Sequence, residues 1–208
     1  MFYKIENGKF VGFYEDKDKD KDGNYTEITL EDWQMVLDKQ SQGEVIFYNP
    51  KSKKLDTLKL QTYETIENGK IVFNREKRIE EIRKELYELR LEYDVKPFDF
   101  EVEGVTYLQN NRSIDQSNLT RIVVMCQATK KTTFDNWKFY TKDNSEKYVS
   151  VSLTNMMKMA EIMQEQTTKS MATETLLSHN LENLTEEELK NYNVKERYEK
   201  AYGEMRWV

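Results

Sequence analysis

Three alternating aspartates come closest in this chain to the spacing of a metal site. Asp18, Asp20 and Asp22, followed by Gly23, match the start of a calcium-binding loop, in which alternate carboxylates ligate the ion and the glycine makes a sharp turn. The carboxylate that closes such a loop would fall at position 29, where the chain has Thr29, and no helix pattern precedes the loop. We therefore predict a solvated hairpin tip and no metal site, with a weak ion site as the alternative.

The single cysteine and the single histidine are the other candidates for chemistry. Cys126 lies in an apolar helical pattern and is interpreted as a small core residue. His179 lies in a polar stretch without a second histidine or a cysteine cluster. Glycine-rich phosphate loops and triad spacings are also missing from the sequence. We predict no catalytic residue, no metal ligand and no cofactor, and hence a protein that is not an enzyme.

Composition limits the class of protein. A length of 208 residues allows one or two domains, and a net charge of −6 argues against nonspecific nucleic-acid binding. Charged residues make up 34% and aromatic residues 12% of the chain; disordered chains contain few aromatics, so we expect folded but small cores. No apolar run approaches the roughly 20 residues that span a membrane, and the first residues lack a signal-peptide pattern. We expect no membrane insertion and folding in a cytoplasm.

A heptad pattern over residues 75–93 predicts a central helix. Its apolar positions recur at spacings of three, four, three and four, namely Ile79, Ile82, Leu86, Leu89 and Tyr93. Such a seam favours an amphipathic helix that packs on its own chain, and it also suits a short coiled coil between identical subunits. We take these five residues as the candidate oligomer seam and keep both interpretations.

The residues before this helix predict a small antiparallel β domain. Asn7-Gly8 and Asn68-Gly69 each lie between apolar runs, which is a strong hairpin signal. Thr29 is placed to cap a helix over 30–39, and strands are expected over 44–48 and 55–60.

The residues after it predict a second α+β domain. We expect a hairpin around Glu103-Gly104, a helix over 115–130 capped by Ser113, and a hairpin of strands 137–140 and 147–151. A long helix over 153–177, capped by Ser152, follows. The tail contains capping patterns at Thr185 and Asn193.

The fold class is therefore α+β, with four segments. Residues 1–74 form a small β-rich domain, 75–96 a connecting helix, 97–178 a hairpin–helix–hairpin–long helix domain, and 179–208 a helical tail. Large apolar side chains serve either the core or a partner surface. The candidates for partner contact are Trp33, Trp137, Met156, Met159, Met163 and Trp207.

The N-terminal half resembles a known family. The matching residues are Ile28-Thr29-Leu30-Glu31-Asp32-Trp33, Leu37, Gln40 and Gly43-Glu44-Val45-Ile46. This acidic-tryptophan helix start, with a glutamine and a glycine at the helix end and a strand after it, looks like the N-terminal region of caudate-phage tail fibre assembly proteins. The resemblance covers about residues 1–75; after the strand, residues 50–53 stand where the family has Gly-x-Pro.

The second half resembles an uncharacterised domain of phage tail proteins, the DUF4376 domain. The matching residues are 100–107, Asn111-Arg112-Ser113, Asn136-Trp137, Asp143-Asn144 and Leu153. In that family a hairpin, a serine-containing cap, a helix, a second hairpin and a final helix follow one another. The resemblance covers about residues 75–178 and carries over no catalytic residue.

These resemblances imply a non-enzymatic phage tail component. It would be a tail fibre assembly protein (a chaperone) or a structural part associated with the tail fibre, and its partner would be the fibre protein. It would form a homo-oligomer, and a trimer is possible because the fibres are trimeric. Its place would be the host cytoplasm during assembly, or the virion tail. The alternative is a receptor-binding or adhesion module whose tyrosines and tryptophans contact host carbohydrate or protein.

Overall fold

The computed structural model describes residues 1–16 and 23–206. The chain forms two compact units, Met1–Arg78 and Ile79–Val208. Short antiparallel sheets and, in the described residues, six α-helices confirm the α+β class. The predicted ion-site residues Asp18, Asp20 and Asp22 lie outside the described residues, as does Trp207.

The first sheet of the N-terminal unit contains three strands. Strand β1 (Phe2–Glu6) lies between β2 (Lys9–Tyr14) and β3 (Tyr25–Glu27). The turn between β1 and β2 is the predicted one: Asn7 and Gly8 have φ of 51° and 76°, as a two-residue hairpin turn requires. Strand β3 was not expected, because it directly follows a charged stretch and is only three residues long.

Two separate hairpins complete the strands of this unit. Strands β4 (Val45–Asn49) and β5 (Lys54–Leu58) form one, and β6 (Glu64–Glu67) and β7 (Lys70–Phe73) form the other. The sequence suggested one small sheet, whereas the described residues form three, because each hairpin pairs only within itself.

Helix α1 (Leu30–Ser41) precedes β4 and begins where the sequence predicts. The Thr29 hydroxyl accepts a hydrogen bond of 3.0 Å from the Asp32 backbone N–H, which satisfies one of the free donors of the first turn. Val36 is buried on the inner side of the helix.

Helix α2 (Arg75–Asp94) buries the predicted heptad seam within the C-terminal unit. Ile79, Ile82, Leu86 and Tyr93 are buried, and Leu89 is half-buried. This placement corresponds to the interpretation in which the helix packs on its own chain.

A four-stranded antiparallel sheet supports the C-terminal unit. Its order is β11 (Glu146–Ser152), β10 (Thr133–Tyr140), β9 (Val105–Gln109) and β8 (Phe98–Val102). The two predicted hairpins join through the pairing of β9 with β10.

Four helices lie between or after the strands of this sheet. Helix α3 (Ser113–Thr129) connects the hairpins, and α4 (Leu153–Asn180) follows the last strand. Helices α5 (Glu186–Lys190) and α6 (Val194–Glu204) form the tail. The buried cluster of this unit contains Phe100, Val102, Leu119, Trp137, Phe139, Val151, Met156, Met159 and Met163.

Most helix starts agree with the sequence. The side chains of Ser152, Thr185 and Asn193 accept hydrogen bonds from backbone N–H groups three residues later. The expectation for Ser113 was wrong by one residue: α3 begins at Ser113, and Arg112 is its N-cap. There the Asp115 carboxylate accepts the Arg112 backbone N–H at 3.1 Å, which is the reciprocal half of a capping box, while the Asp115 backbone N–H donates to the Arg112 carbonyl at 2.8 Å.

Candidate functional site

A cavity of about 330 Å³ lies between α3 and β10 in the C-terminal unit. The end of β9 and the residue after it close one side of it, while α3 and β10 form its walls. Its lining side chains are Gln109, Asn110, Asp115, Asn118, Arg121, Ile122, Phe134, Asn136, Trp137, Lys138 and Tyr140. Polar groups and aromatic rings therefore converge on one half-open space.

A β-bulge shapes the β10 wall. Phe134 pairs with Val151 and Trp137 with Val149, so two residues of β10 oppose one residue of β11. Asn136, inside this bulge, has a φ of 63°, in the left-handed region that asparagine tolerates better than most residues. Bulges redirect side chains, and here Asn136 and its neighbour Trp137 both line the cavity.

A hydrogen-bonded pair fixes the aromatic wall. The Trp137 side chain is almost fully buried, with 6% exposed, and Gln109 is 2% exposed. The Trp137 indole N–H donates to Gln109 Oε1 at 2.8 Å, and Gln109 Nε2 donates to the Asn110 carbonyl at 2.6 Å. Phe134 meets the Trp137 ring edge-on, with centroids 6.5 Å apart. Since these groups are already satisfied, the wall is rigid before any ligand enters.

The charges around the cavity are compensated except at one position. Asp115 accepts from Arg112 Nε at 2.8 Å, and Lys138 Nζ lies 3.0 Å from Glu146. The hydrogen bond to Glu146 raises the pKa of Lys138. Arg121 has no ion-pair or hydrogen-bond partner among residues 1–16 and 23–206. It is therefore the one lining charge available to a ligand in the part of the chain described.

Three amides add hydrogen-bonding capacity. The side chains of Asn110, Asn118 and Asn136 line the cavity, and none has a hydrogen-bond partner within the described residues. Each amide offers two donors and one acceptor. With Arg121 they make the cavity a site for a polar ligand.

A second candidate surface lies in the N-terminal unit, on the outer face of α1. We define this face by Leu30, Glu31, Gln34, Met35 and Asp38, which border a shallow surface hollow. The side chain of Leu30 is 73% exposed and that of Met35 is 50% exposed. Two large apolar side chains thus lie in water beside polar neighbours, as at the edge of many protein interfaces.

The predicted partner-contact residues lie mostly inside the units. Trp137, Met156, Met159 and Met163 are buried in the C-terminal unit. Trp33 is half-buried, on the opposite side of α1 from Met35, and meets Phe13 edge-on with centroids 6.4 Å apart. Its indole nitrogen is buried without a hydrogen-bond partner in the described residues.

Apart from Trp137, which was a candidate for partner contact, the cavity residues were missed by sequence reasoning. Strand β10 was expected to begin at Trp137, because Asp135 and Asn136 are poor strand formers. The strand instead begins at Thr133 and accommodates both residues in the bulge. The available signal was Asn136, a residue type that tolerates positive φ, between two aromatic residues of strand type.

Comparisons of the chain with family models, with curated proteins and with solved structures each found no match. Among the described residues, none of the helices combines the length and the apolar character needed to cross a membrane. No group of three or more His, Cys, Asp or Glu side chains is arranged to hold a metal ion in the same residues.

Proposed function

We propose that this chain is a non-enzymatic component of a bacteriophage or phage-derived tail that acts by binding a tail fibre protein. It is either a fibre assembly protein, present in the host cytoplasm, or a fibre-associated part of the particle. The resemblance of residues 1–75 to fibre assembly proteins and of residues 75–178 to a phage tail domain supports this proposal. Purified particles would contain the structural part and lack the assembly protein.

The order of elements in the C-terminal unit is the observation that carries the proposal. Residues 98–180 fold as hairpin, helix, hairpin and long helix, the order expected from the DUF4376 resemblance. Gly104 and Asn144, two of the resembling residues, have positive φ in the two hairpin turns. This order and these turn positions support the proposal.

We assign the fibre contact to the outer face of α1. This helix is formed by the segment that resembles fibre assembly proteins, and Leu30 belongs to the quoted motif. Exposed Leu30 and Met35 can be buried by a partner, while Glu31, Gln34 and Asp38 can form a polar rim.

Co-expression with the tail fibre protein of the same phage tests this assignment. The double variant Leu30→Gln with Met35→Gln should reduce the fibre recovered with the tagged chain by about tenfold, because two apolar contacts are lost. Glutamine is a good helix former, so α1 should stay folded.

The control variant is Val11→Thr with Ile71→Thr. It removes the same number of exposed apolar residues from β2 and β7 of the same unit and should leave the recovered fibre unchanged. Equal recovery with the α1 variant, or an equal loss with the control, would contradict the assignment to α1. Failure of the wild-type chain to recover any fibre would contradict the proposed function itself.

A receptor-binding or adhesion module is the second candidate, and the cavity of the C-terminal unit favours it. A half-open cavity lined by amides, a guanidinium without a partner in the described residues, and aromatic rings suits a small polar ligand better than a flat protein surface. A receptor binder would attach to host cells in the absence of its fibre. Binding of the fluorescently labelled chain to host cells distinguishes the two candidates.

A further inference from the structure

We propose that the cavity between α3 and β10 binds a saccharide unit that carries a carboxylate. The inference adds a ligand site to the protein-binding role proposed above and does not depend on that role. It rests on four features of the C-terminal unit: a guanidinium and amides that have no partner within the described residues, a rigid apolar wall, and an asparagine with positive φ.

The Arg121 guanidinium favours a ligand with an anionic group. Asp115 and Lys138 are neutralised by Arg112 and Glu146, so Arg121 provides the remaining charge. A guanidinium matches a carboxylate with two parallel hydrogen bonds. One guanidinium balances one carboxylate, whereas a doubly charged phosphate would leave a charge uncompensated.

The three asparagine amides of the cavity favour a ligand with hydroxyl groups. Asn110, Asn118 and Asn136 each present donors and an acceptor to the cavity. A sugar hydroxyl is also both a donor and an acceptor, so three amides can satisfy several neighbouring hydroxyls. An alkyl chain would leave these amides desolvated and unpaired, at a cost in affinity.

The apolar wall and the size of the cavity suit a sugar ring. Phe134 and Ile122 line the cavity beside the rigid Trp137–Gln109 pair and can contact the C–H groups of the ring. A volume of about 330 Å³ is at the lower end of the range for small-molecule pockets. It fits one or two sugar units and not a helix or a folded loop.

The bulge supplies the fourth feature. A glycine at position 136 would adopt a φ of 63° without strain, whereas asparagine pays a small strain energy there. The asparagine adds an amide that enters the cavity. We therefore assign Asn136 to ligand binding.

The test is an NMR titration of the ¹⁵N-labelled full chain with D-glucuronate and, separately, with D-glucose. Glucuronate should shift the Trp137 indole N–H resonance, and glucose should bind at least about tenfold more weakly, because it lacks the charged partner of Arg121. Arg121→Gln should weaken glucuronate binding about tenfold and leave glucose binding unchanged. Lys158→Gln is the control, because it removes the same charge from an exposed position on α4.

Asn136→Gly should keep the bulge, because glycine fits the local φ, and should weaken glucuronate binding about tenfold. Asn144→Gly is its matched control: Asn144 has a φ of 64° in the turn after β10 and does not line the cavity. A Trp137 resonance that does not move, equal affinity for glucose, or an equal effect of the two glycine variants would overturn the proposal. So would tighter binding of inorganic phosphate, or of a peptide through its terminal carboxylate, in the same cavity.

Discussion

Asn111 shows how one residue holds the surroundings of the cavity in place. It is fully buried, and its Nδ2 donates to the Asp94 carbonyl at 2.9 Å and to Gln166 Oε1 at 2.8 Å. Its Oδ1 accepts from Gln116 Nε2 at 3.0 Å. One amide thus connects the end of α2, the start of α3 and the middle of α4. Since Gln109 and Asn110 directly precede it, this network also positions the β9 end of the cavity.

Truncation of this amide should be severe. Asn111→Ala removes a fully buried amide and leaves three half-buried groups, the Asp94 carbonyl and the side chains of Gln116 and Gln166, with fewer partners. We therefore expect a loss of about 2–4 kcal/mol in the free energy of unfolding. The measurement is urea denaturation followed by circular dichroism. Asn118→Ala, an exposed position on α3 without a partner in the described residues, should change stability by less than about 0.5 kcal/mol. Similar values for the two variants would contradict the structural role of Asn111.

Single residues also show the reach of sequence reasoning. The helix caps could be predicted, because an N-cap side chain bonds a backbone N–H only two or three residues later in the chain. These caps are Thr29, Ser152, Thr185 and Asn193. The network of Asn111 could not be predicted, because its partners lie 17 and 55 residues away in the chain.

At the scale of elements, α2 differs most from its predicted role: it was expected to connect two domains, and it is packed into the core of the C-terminal unit. Two ion pairs and a ring contact attach it to later helices of its own unit: Arg83 lies 2.8 Å from Glu182, Arg90 Nε lies 2.9 Å from Glu174, and the rings of Tyr93 and Tyr198 are 5.1 Å apart. A charged substitution in the seam would therefore unfold the unit, and would report on folding and not on assembly.

A milder pair of variants measures the packing of α2. Leu86→Ala should lower the free energy of unfolding by about 3 kcal/mol, because Leu86 is fully buried. Leu91→Ala, at a position on the same helix that is 43% exposed, should lower it by less than about 0.5 kcal/mol. Equal effects in thermal or urea denaturation would show that the seam is not buried in the isolated chain.

The tyrosines of α2 and the tail make the unit sensitive to high pH. Burial, as the main cause, raises the pKa of Tyr93, Tyr192, Tyr198 and Tyr202, and the Tyr198 hydroxyl donates to the Ser170 carbonyl at 3.2 Å. A raised pKa means that the folded state keeps the neutral phenol. This contribution to stability is fully present below the ordinary tyrosine pKa of 10.0 and is lost as the pH rises above it.

Urea midpoints between pH 8 and 11 should therefore fall above about pH 10. Tyr202→Phe keeps the ring and removes one titrating group, so its decline should be less steep than that of the wild type. Identical slopes for the two proteins would contradict a raised pKa at Tyr202. Lysine titration is common to both proteins and cancels in this comparison.

Elements with local signals could be predicted, and elements set by distant contacts could not. The Asn-Gly turns, the heptad period and the hairpin around Glu103-Gly104 gave most strands and helices to within a few residues. Strand β3 forms because it pairs with the edge of β1. The β10 bulge forms because two residues of β10, between Phe134 and Trp137, lie opposite one residue of β11. Both depend on pairing with a neighbouring strand, and the local sequence contains no more than a hint at Asn136. The cavity was therefore missed although the hairpin that carries it was found.

At the scale of the whole molecule, the two units carry different candidate surfaces. The unit Met1–Arg78 has the outer face of α1, and the unit Ile79–Val208 has the cavity. We propose that the first binds the fibre and the second a small acidic saccharide. Variants in one unit should then leave the binding of the other ligand unchanged.

The assembly state provides a further prediction at this scale. The α2 seam is buried within one chain, so an oligomer would have to use another surface. The fibre resemblance implies a trimer. Leu86→Ala, measured by light scattering at two concentrations under conditions where it stays folded, should have the same mass as the wild type. A folded variant of lower mass would contradict this and make α2 a seam between subunits.

Hydrogen exchange on the chain bound to its tail fibre protein tests the central claim most directly. The account predicts that binding slows exchange of backbone amides in α1, residues 30–41, and leaves the amides of α3 and β10 unchanged. Slower exchange confined to the C-terminal unit, or no change in α1, would contradict the claim that this helix is the fibre-binding element.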